Sequence, residues 1–316
     1  MTSLVPAPDG VTRLAVTKGH GTQNDFVLVD DRDGVLDLTP ELVRALADRR
    51  TGVGADGVIR LAPSADVAAG ERCLAEDPVA RWFMDYRNAD GSEAEMCGNG
   101  IRVVAAFAER LGAWDGVGDL VLGTRAGVRR VRRDPGPDGG HDAWYAADMG
   151  TWQLLGGQVA ARAGHDAEVT VAGLDVARPA LRVSVGNPHT VLALADGAEL
   201  AAADLTRAPR VEPPPPAGTN VELVVPLGEH PGDAGAPPTG SLRMRVHERG
   251  VGETRSCGTG ACAAAVAVRT WAGQGAPTLW WVEVPGGTLR VTIDGDRVEL
   301  AGPAVLVADV VVDLSV

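Results

Sequence analysis

The chain has 316 residues, of which 45% are hydrophobic and 22% charged, a composition typical of a globular protein with room for two domains. Its formal net charge of −13 argues against nucleic acid and anionic membrane as partners, because both need a basic face. The sequence shows neither an apolar run approaching the ~20 residues of a membrane span nor the basic start and apolar stretch of a secretory signal, so we predict a cytoplasmic protein.

The first half of the chain predicts short strands and two helices. One helix begins at Thr39 and Pro40, because threonine is a good N-cap and proline is favoured at the first helical position. The other follows Cys97 and ends at Gly112. The predicted strands are, in order, LAVTKG, DFVLVDD, GVIRL and RWFMDYR, the last with the alternation of a half-buried strand. Residues 63–79 are predicted to form a loose loop.

The segment 134–142, DPGPDGGHD, is the most linker-like part of the chain. We place a domain boundary there, between an N-terminal domain over 11–135 that carries Cys97 and a C-terminal domain over 143–302 that carries Cys257. Residues 303–316 form a separate terminal strand in this division.

The second half repeats the pattern of the first, with short strands and a helix that follows a cysteine. Its predicted strands are EVTVA, LRVSVGN, TVLALA, VELVV, LRMRVHERG, LWWVEV, TLRVTI and AVLVADVVVDL. A helix is predicted to start after Cys257 and to end at Gly273. The Pro- and Gly-rich segments 213–218 and 231–240 are predicted to be surface loops.

Two motifs of the same build lie one in each half, Met96-Cys97-Gly98-Asn99-Gly100 and Ser256-Cys257-Gly258-Thr259-Gly260. Each places a cysteine and two glycines at the start of an Ala/Val-rich helix. The free N–H groups and the dipole of a helix start hold an anion and lower the pKa of a nearby thiol. We therefore predict one catalytic centre assembled from two similar halves. Cys73 and Cys262 lack this setting and are predicted to be buried apolar residues.

Several chemistries use thiols, and they need different arrangements. Disulfide exchange uses closely spaced pairs, and acyl transfer needs one thiol with a histidine base. Two-base proton transfer needs a thiolate and a thiol on opposite faces of one carbon, which suits matched cysteines from similar halves. Pyridoxal phosphate needs a lysine, and the single lysine, Lys18, lies in a predicted strand without a phosphate-binding loop. No nucleotide motif and no zinc-site spacing is present, so we predict no cofactor and no metal.

Polar residues at turns and strand ends offer ligands for an amino-acid substrate. Asparagine amides bind carboxylates or amines, glutamate binds an ammonium group, and arginine binds a carboxylate through two hydrogen bonds. The candidates are Asn24, Asn88, His189, Asn220, Glu248 and Arg249. Each also has an ordinary structural explanation as a turn residue or a surface ion pair, so it is their joint presence beside two thiols that favours a site.

Six segments, in this order, resemble the diaminopimelate epimerase family: KGHGTQNDF, RRTGVGADG, YRNADGSEAEMCGNG, GNPH, GTNVE and HERGVGETRSCGTGAC. The resemblance implies a mixed α+β fold of two pseudosymmetric domains, each a β-barrel-like sheet around a central helix, with 303–316 returning to the first domain. It also implies a cofactor-independent, homodimeric isomerase. Such an enzyme interconverts L,L- and meso-2,6-diaminopimelate, in lysine and peptidoglycan precursor biosynthesis.

The resemblance also assigns a role to each site residue. Cys97 and Cys257 match the acid/base pair that acts on opposite faces of the substrate's α-carbon. The backbone N–H groups that hold the reacting carboxylate match Gly98, Asn99, Gly258 and Thr259. The matching substrate-binding side chains are Asn24, Asn88, Asn187, His189, Asn220, Glu248 and Arg249. Some members carry glutamine where this chain has Gly57, and that position is left out of the site.

Other hypotheses remain at this point. A racemase for another amino acid shares the architecture, although proline-type enzymes tend to carry histidine where Asn99 stands, and phenazine-type isomerases lack the thiol pair. A histidine racemase is harder to separate by sequence. A non-catalytic amino-acid-binding protein would need the amide groups but not the thiols. A thiol redox sensor is a third alternative. It is distinguished from an epimerase by testing whether activity is lost when either cysteine alone is replaced.

Overall fold

The computed structural model describes residues 4–6, 12–137, 142–232 and 237–314. The strands in this part of the chain are β1 Leu4–Pro6, β2 Thr12–Gly21, β3 Asn24–Asp30, β4 Gly57–Pro63, β5 Trp82–Asn88, β6 Asp119–Thr124, β7 Gly127–Asp134, β8 Ala143–Thr151, β9 Gln153–Leu154, β10 Ala167–Thr170, β11 Arg178–Ser184, β12 Pro188–Ala193, β13 Arg210–Glu212, β14 Asn220–His230, β15 Thr239–Glu248, β16 Gly252–Thr254, β17 Leu279–Val284, β18 Gly287–Asp294 and β19 Arg297–Asp313. The helices are α1 Pro40–Ala47, α2 Gly70–Glu76, α3 Gly98–Arg110, α4 Gly157–Ala163, α5 Gly197–Ala202 and α6 Gly258–Ala272.

The chain divides into two compact units. Unit 1 comprises Met1–Ala147 and Gly302–Val316, and unit 2 comprises Asp148–Ala301. The chain therefore passes from unit 1 to unit 2 within β8 and returns within β19. The segment 134–142, predicted to be the boundary, instead joins the antiparallel neighbours β7 and β8 within unit 1, and residues 138–141 of it lie outside the described ranges.

Eight strands of unit 1 follow one another around a closed barrel. The pairs β2–β3, β4–β5, β6–β7 and β7–β8 are antiparallel, whereas β3–β4 and β5–β6 are parallel. Strand β19 closes the barrel, because it pairs with β8 on one side and runs antiparallel to β2 on the other. The C-terminal part of the chain thus belongs to the barrel formed mainly by the N-terminal half.

Helix α3 lies at the centre of this barrel. It contacts β2, β3, β4, β5 and β7, and every residue from Gly98 to Ala108 is buried. A helix that is covered on all sides must be apolar on all sides, which the sequence IRVVAAFA provides except at Arg102. Burial thus extends to the first helical residues, whereas Cys97 just before them is partly exposed.

Unit 2 repeats the strand order of unit 1. The pairs β11–β12, β14–β15, β17–β18 and β18–β19 are antiparallel, and β12–β14 and β15–β17 are parallel, the same succession as in unit 1. Helix α6 packs against β11, β12, β14, β15, β17 and β18. The mixed α+β class is thus confirmed, with a barrel-like sheet around a central helix in each unit.

Two local predictions in unit 1 were wrong. Residues 63–79 are not a loose loop, because they contain a 3₁₀ turn over Ser64–Asp66 and helix α2. Cys73 on α2 is fully buried in a cluster with Val67, Phe83 and Val121, which stabilises a helix too short to show a periodic pattern. Strand β5 does not alternate either, since all four residues from Phe83 to Tyr86 are buried.

None of the helices in the described part of the chain combines the length and apolar character that a membrane span requires.

Candidate active site

Cys97 and Cys257 occupy equivalent positions in the two units. Each is the N-cap of its central helix, with extended backbone (φ −135°, ψ 122° and φ −123°, ψ 116°). In each motif the glycine three residues later donates its N–H to the cysteine sulfur at 3.4 Å. Gly98 and Gly258 are the first helical residues, so the amide groups predicted to hold a carboxylate are those of the first helical turn.

Around Cys97, two amide side chains are oriented by charged groups. Asn24 Oδ1 accepts hydrogen bonds from Cys97 Sγ at 3.5 Å and from Asn99 Nδ2 at 3.2 Å. Asn24 Nδ2 donates to Asp56 Oδ2 at 2.7 Å, and Asn99 Oδ1 accepts from Arg102 at 2.8 Å. Since an ionised carboxylate only accepts and a guanidinium only donates, both amide orientations are determined, and Asn24 presents its oxygen to the sulfur.

Asn88, the other side chain predicted in this half, lies at the end of β5 beside Gly57 of β4. Its amide donates to the Ser92 hydroxyl at 3.0 Å, within the turn that precedes Cys97. The geometry of Gly57 also explains why a side chain is missing there. A Cβ at this position would lie 2.5 Å from the Arg87 carbonyl oxygen and 2.6 Å from the Tyr86 ring, so glutamine does not fit without a backbone shift.

Around Cys257, three predicted residues and Glu222 form one connected group. His189 Nδ1 lies 2.7 Å from Glu222 Oε1, and Nε2 lies 3.0 Å from Asn187 Oδ1. Asn187 Nδ2 donates to Thr259 Oγ1 at 3.4 Å, and Thr259 Oγ1 lies 3.6 Å from Cys257 Sγ. The predicted residues His189, Asn187 and Thr259 thus meet at the start of α6.

Asn220 and Arg249 lie at the margin of this group. Asn220 Nδ2 is 3.5 Å from His189 Nδ1, and Asn220 Oδ1 accepts the backbone N–H of Arg249 at 2.9 Å. The exposed Arg249 guanidinium donates to the Ala217 carbonyl at 2.5 Å. Arg249 thus lies beside Asn220, and its side chain contacts the 213–218 loop.

The pKa of the Cys257 thiol is raised well above its usual value, contrary to the expectation for a helix start. Burial is the main cause, because Cys257 is 6% exposed, and the nearby Glu248 and Glu222 carboxylates add to it. Burial also raises the pKa of Glu248, with the Glu222 charge acting in the same direction and the hydroxyl of Thr254 acting against it. The hydrogen bonds from Gly260 and Thr259 favour the thiolate, but desolvation and the nearby negative charges outweigh them and favour the protonated thiol.

Three functional candidates were missed by the sequence analysis: Asp56, Arg102 and Glu222. Glu222 and Arg102 were detectable as single charged residues inside the apolar runs VELVV and IRVVAAFA. Asp56 lies in the GADG turn, where an aspartate is unremarkable. In the described segments, no group of three or more His, Cys, Asp or Glu side chains is arranged to hold a metal ion.

The sequence model of the diaminopimelate epimerase family matches residues 16–135 and 181–307. The chain belongs to this family. It is 44% identical over 306 residues to the diaminopimelate epimerase of Streptomyces coelicolor, covering 94% of this chain and 95% of the relative. It is 46% identical over 303 residues to that of Mycolicibacterium paratuberculosis, covering 93% and 95%. The family makes the chain an isomerase.

Solved structures with the same fold extend beyond this family. A phenazine biosynthesis protein of the PhzF family from Bacillus anthracis has a TM-score of 0.61 at 16% identity, covering 95% of this chain and 99% of the other. A hydroxyproline epimerase from Agrobacterium vitis has a TM-score of 0.58 at 16% identity, covering 96% and 93%. At these identities the likeness concerns the fold alone.

Proposed function

We propose that this chain interconverts L,L- and meso-2,6-diaminopimelate by a two-thiol reaction without a cofactor. The observation that carries the proposal is the equivalence of Cys97 and Cys257 as N-caps of the two central helices, in a chain of this family. One sulfur, as thiolate, removes the α-proton from one face of the carbon. The other, as thiol, gives its proton to the opposite face, so the configuration inverts and the two sulfurs exchange protonation states.

The main energetic difficulty of this reaction is the weak acidity of the α-proton. Removing it moves negative charge onto the neighbouring carboxylate. Backbone N–H groups at a helix start stabilise such charge, and they are fixed before the reaction begins. We assign this task to the amides of Gly98, Asn99, Gly258 and Thr259, the first residues of α3 and α6.

The remaining predicted side chains would hold the rest of the substrate. Glu248 and His189 suit the amino group at the reacting carbon, because they lie in the charged group around Cys257. Arg249 and the four asparagines suit the second, distal amino-acid end. Binding there would require Arg249 to exchange its contact with the Ala217 carbonyl for a carboxylate, which accepts two parallel hydrogen bonds.

Proton exchange in deuterated water tests this proposal. Purified protein is mixed with L,L-diaminopimelate, and proton NMR follows the loss of the α-proton signal and the appearance of the meso isomer. We expect both in the wild type and neither in Cys97→Ala or Cys257→Ala. Cys262→Ala is the matched control, because it removes a fully buried thiol from α6 and should retain activity.

If the α-proton of a different amino acid exchanges and diaminopimelate does not react, the chain is a related racemase with that amino acid as its substrate. Binding of diaminopimelate without exchange would favour an amino-acid-binding protein instead. Activity that survives in either single-cysteine variant would contradict the two-thiol reaction itself.

The family also supports a homodimer that works in the cytoplasm on precursors of lysine and peptidoglycan. Light scattering of the purified chain over a range of concentrations tests the dimer, and a monomer at all of them would contradict it.

A further inference from the structure

Strands β2 and β3 are joined by a two-residue turn in an unfavourable backbone conformation. Gly21 and Asn24 form the last pair of this hairpin, so Thr22 and Gln23 alone make the turn. Their φ angles are 49° and 64°, and in the described part of the chain they are the only residues other than glycine with positive φ. Two positive φ angles are typical of a type I′ turn, which asparagine followed by glycine adopts readily. A β-branched residue rarely takes this conformation, so contacts from outside the turn must stabilise it.

The side chain of Arg102, on α3, makes such contacts. Arg102 is 0% exposed and Thr22 is 2% exposed. Arg102 Nη2 donates to Thr22 Oγ1 at 3.3 Å and to Asn99 Oδ1 at 2.8 Å, and Thr22 Oγ1 donates to Asn99 Oδ1 at 3.4 Å. The hairpin also packs closely on the helix, because a Cβ at Gly21 would lie 3.0 Å from Arg102 Nη2 and 3.0 Å from the Asn99 carbonyl oxygen. Since buried hydrogen bonds are costly to lose, these contacts can offset the strain of the turn.

The two central helices differ at the position of this arginine. Arg102 stands five residues after Cys97, and Cys262 stands five residues after Cys257. Both side chains are fully buried. Because α6 fills this position with a small apolar side chain, the packing of a central helix does not itself require an arginine there. The contact with the β2–β3 turn accounts for the arginine in α3.

Asn24 follows the turn directly, so the turn determines where its backbone lies. Asn24 Oδ1 accepts hydrogen bonds from Cys97 Sγ at 3.5 Å and from Asn99 Nδ2 at 3.2 Å. Asp56 holds the other end of the same amide at 2.7 Å and so fixes its direction, but not the path of the chain. Because the turn sets the register of a hairpin, a turn of another type would move Asn24 relative to Cys97.

We propose that Arg102 is a positioning residue that holds the Thr22–Gln23 turn in its left-handed conformation and thereby keeps Asn24 within reach of the Cys97 sulfur. The two protons on Nη2 lie in the fixed plane of the guanidinium group, so this one nitrogen bonds the turn and the first turn of α3 together. The catalytic consequence of this role rests on the proposed function, whereas the effect on the turn does not.

Amide hydrogen exchange followed by NMR tests the proposal without substrate. Arg102→Met keeps a long side chain but removes the donors, and Thr22→Val removes only the hydroxyl. In both variants we expect the backbone amides of Gly21 and Asn24 to exchange about tenfold faster than in the wild type, as for the loss of a buried hydrogen bond that opposes local opening. The amides of α6, in unit 2, are the internal reference and should exchange at an unchanged rate.

An asparagine–glycine turn distinguishes support of the turn from general stabilisation. The double variant Thr22→Asn with Gln23→Gly also loses the threonine hydroxyl, but its turn adopts the type I′ conformation without help. We therefore expect slow exchange of Asn24 in this variant. Exchange should stay slow when Arg102→Met is added, although Arg102→Met alone speeds it.

Thr17→Val is the matched control. Thr17 is another buried threonine of β2, and its hydroxyl accepts a hydrogen bond from Arg110, another arginine of α3. It lies outside the turn, so the variant should leave the exchange of Gly21 and Asn24 unchanged. In the epimerase assay, kcat/KM of Arg102→Met should fall at least about tenfold, because a displacement of about 1 Å in a positioned group can cost about 100-fold. The asparagine–glycine turn should restore part of this loss, and Thr17→Val should retain activity.

Unchanged exchange of Asn24 in Thr22→Val would overturn the inference, and this variant decides the question even if Arg102→Met does not fold. Fast exchange that the asparagine–glycine turn fails to slow would also overturn it. The two proposals fail separately. A turn that depends on Arg102 in a chain without epimerase activity would contradict only the function. An active chain whose turn is independent of Arg102 would contradict only the positioning role.

Discussion

The thiols of Cys97 and Cys257 have matching backbone positions but different surroundings. Cys97 is partly exposed and contacts the amides of Asn24 and Asn99, whereas Cys257 is buried beside Glu222 and Glu248. The difference lies in the side chains around the helix starts, because the helix starts themselves are alike. Burial and the two carboxylates therefore favour the protonated form of the Cys257 thiol in the unliganded chain.

Alkylation rates should reveal this difference. The thiolate is the form that reacts with iodoacetamide, and burial with two nearby carboxylates raises the pKa of Cys257. At mildly alkaline pH we expect Cys97 to be modified well before Cys257, as measured by mass spectrometry of peptides after short exposures. Raising the pH should speed the reaction of Cys257 as its thiolate fraction grows.

The fully buried Cys73 and Cys262 are internal controls that should stay unmodified while the chain is folded. Equal or faster labelling of Cys257 would contradict the raised pKa of its thiol.

The site residues that the sequence revealed are those with a local signature. Cys97 and Cys257 stand before glycines at helix starts, and this pattern is visible without any tertiary information. Glu222 and Arg102 show only as single charged residues inside apolar runs, and Asp56 has no local signature, so the partners of all three depend on strands and helices brought together by the fold. His189 meets Glu222 only because β12 and β14 are adjacent and parallel in one register.

Strand β5 also shows what the sequence could not predict, here for a whole element. Its existence followed from the sequence, but its burial did not, because Asp85 is 0% exposed in a strand predicted to be half-buried. Three arginines make this possible: Arg60 on β4, Arg87 on β5 itself and Arg125 in the β6–β7 turn contact its carboxylate at 2.9, 3.0 and 2.7 Å. Arg60 and Arg125 come from 25 and 40 residues away, so this part of the network leaves no pattern along the chain.

This network predicts a large effect of Asp85→Asn on stability. Burial acts to raise the pKa of Asp85, but the hydrogen bond from Arg125 and the charges of Arg125, Arg60 and Arg87 outweigh it and lower the pKa overall. Removing the carboxylate takes away the buried acceptor that the three arginines share, although Arg60 keeps Asp31 and the other two keep Glu93, so we expect a loss of about 1–3 kcal/mol. Urea denaturation at neutral pH would measure it.

The pH dependence of that effect has a definite sign. The folded-state pKa of Asp85 lies below the unfolded value of about 3.9, so its contribution is fully present above that pH and is lost as the pH falls through the folded pKa. The difference in unfolding free energy between the wild type and Asp85→Asn should therefore become smaller in acid. Asp119→Asn, at the exposed first position of β6, is the control and should change stability by less than about 0.5 kcal/mol. A difference in unfolding free energy that stays constant at all pH values would contradict the lowered pKa of Asp85.

At the scale of the whole chain, strand β19 contributes to both units. Residues 297–301 pair with β18 in unit 2, and residues 305–313 pair with β2 in unit 1. The sequence predicted two similar halves from the two cysteine motifs, and the structure adds the order in which the strands of each half pair. The composition of AVLVADVVVDL predicted a strand here, and its return to the first domain was implied by the family resemblance.

Deletion of residues 303–316 should open the barrel of unit 1 while sparing unit 2. The deletion removes the partner of β2 and breaks the circuit of eight strands, so the backbone amides of β2 and β8 lose their protection. Hydrogen exchange followed by mass spectrometry would show fast exchange in peptides from these strands. Peptides from α6 serve as the internal reference and should exchange slowly. Unchanged protection of β2 would contradict the closing role of β19.

The position of β19 also governs the order in which the chain folds during synthesis. Thr17 donates to Asp309 at 2.7 Å across 292 residues, so a contact of β2 must wait for the strand made after every other described strand. Until then β2 presents an unpaired edge that can join another nascent chain. The unit that begins the sequence is thus completed after the unit that follows it, and translation passes through a stage in which the later half can close first.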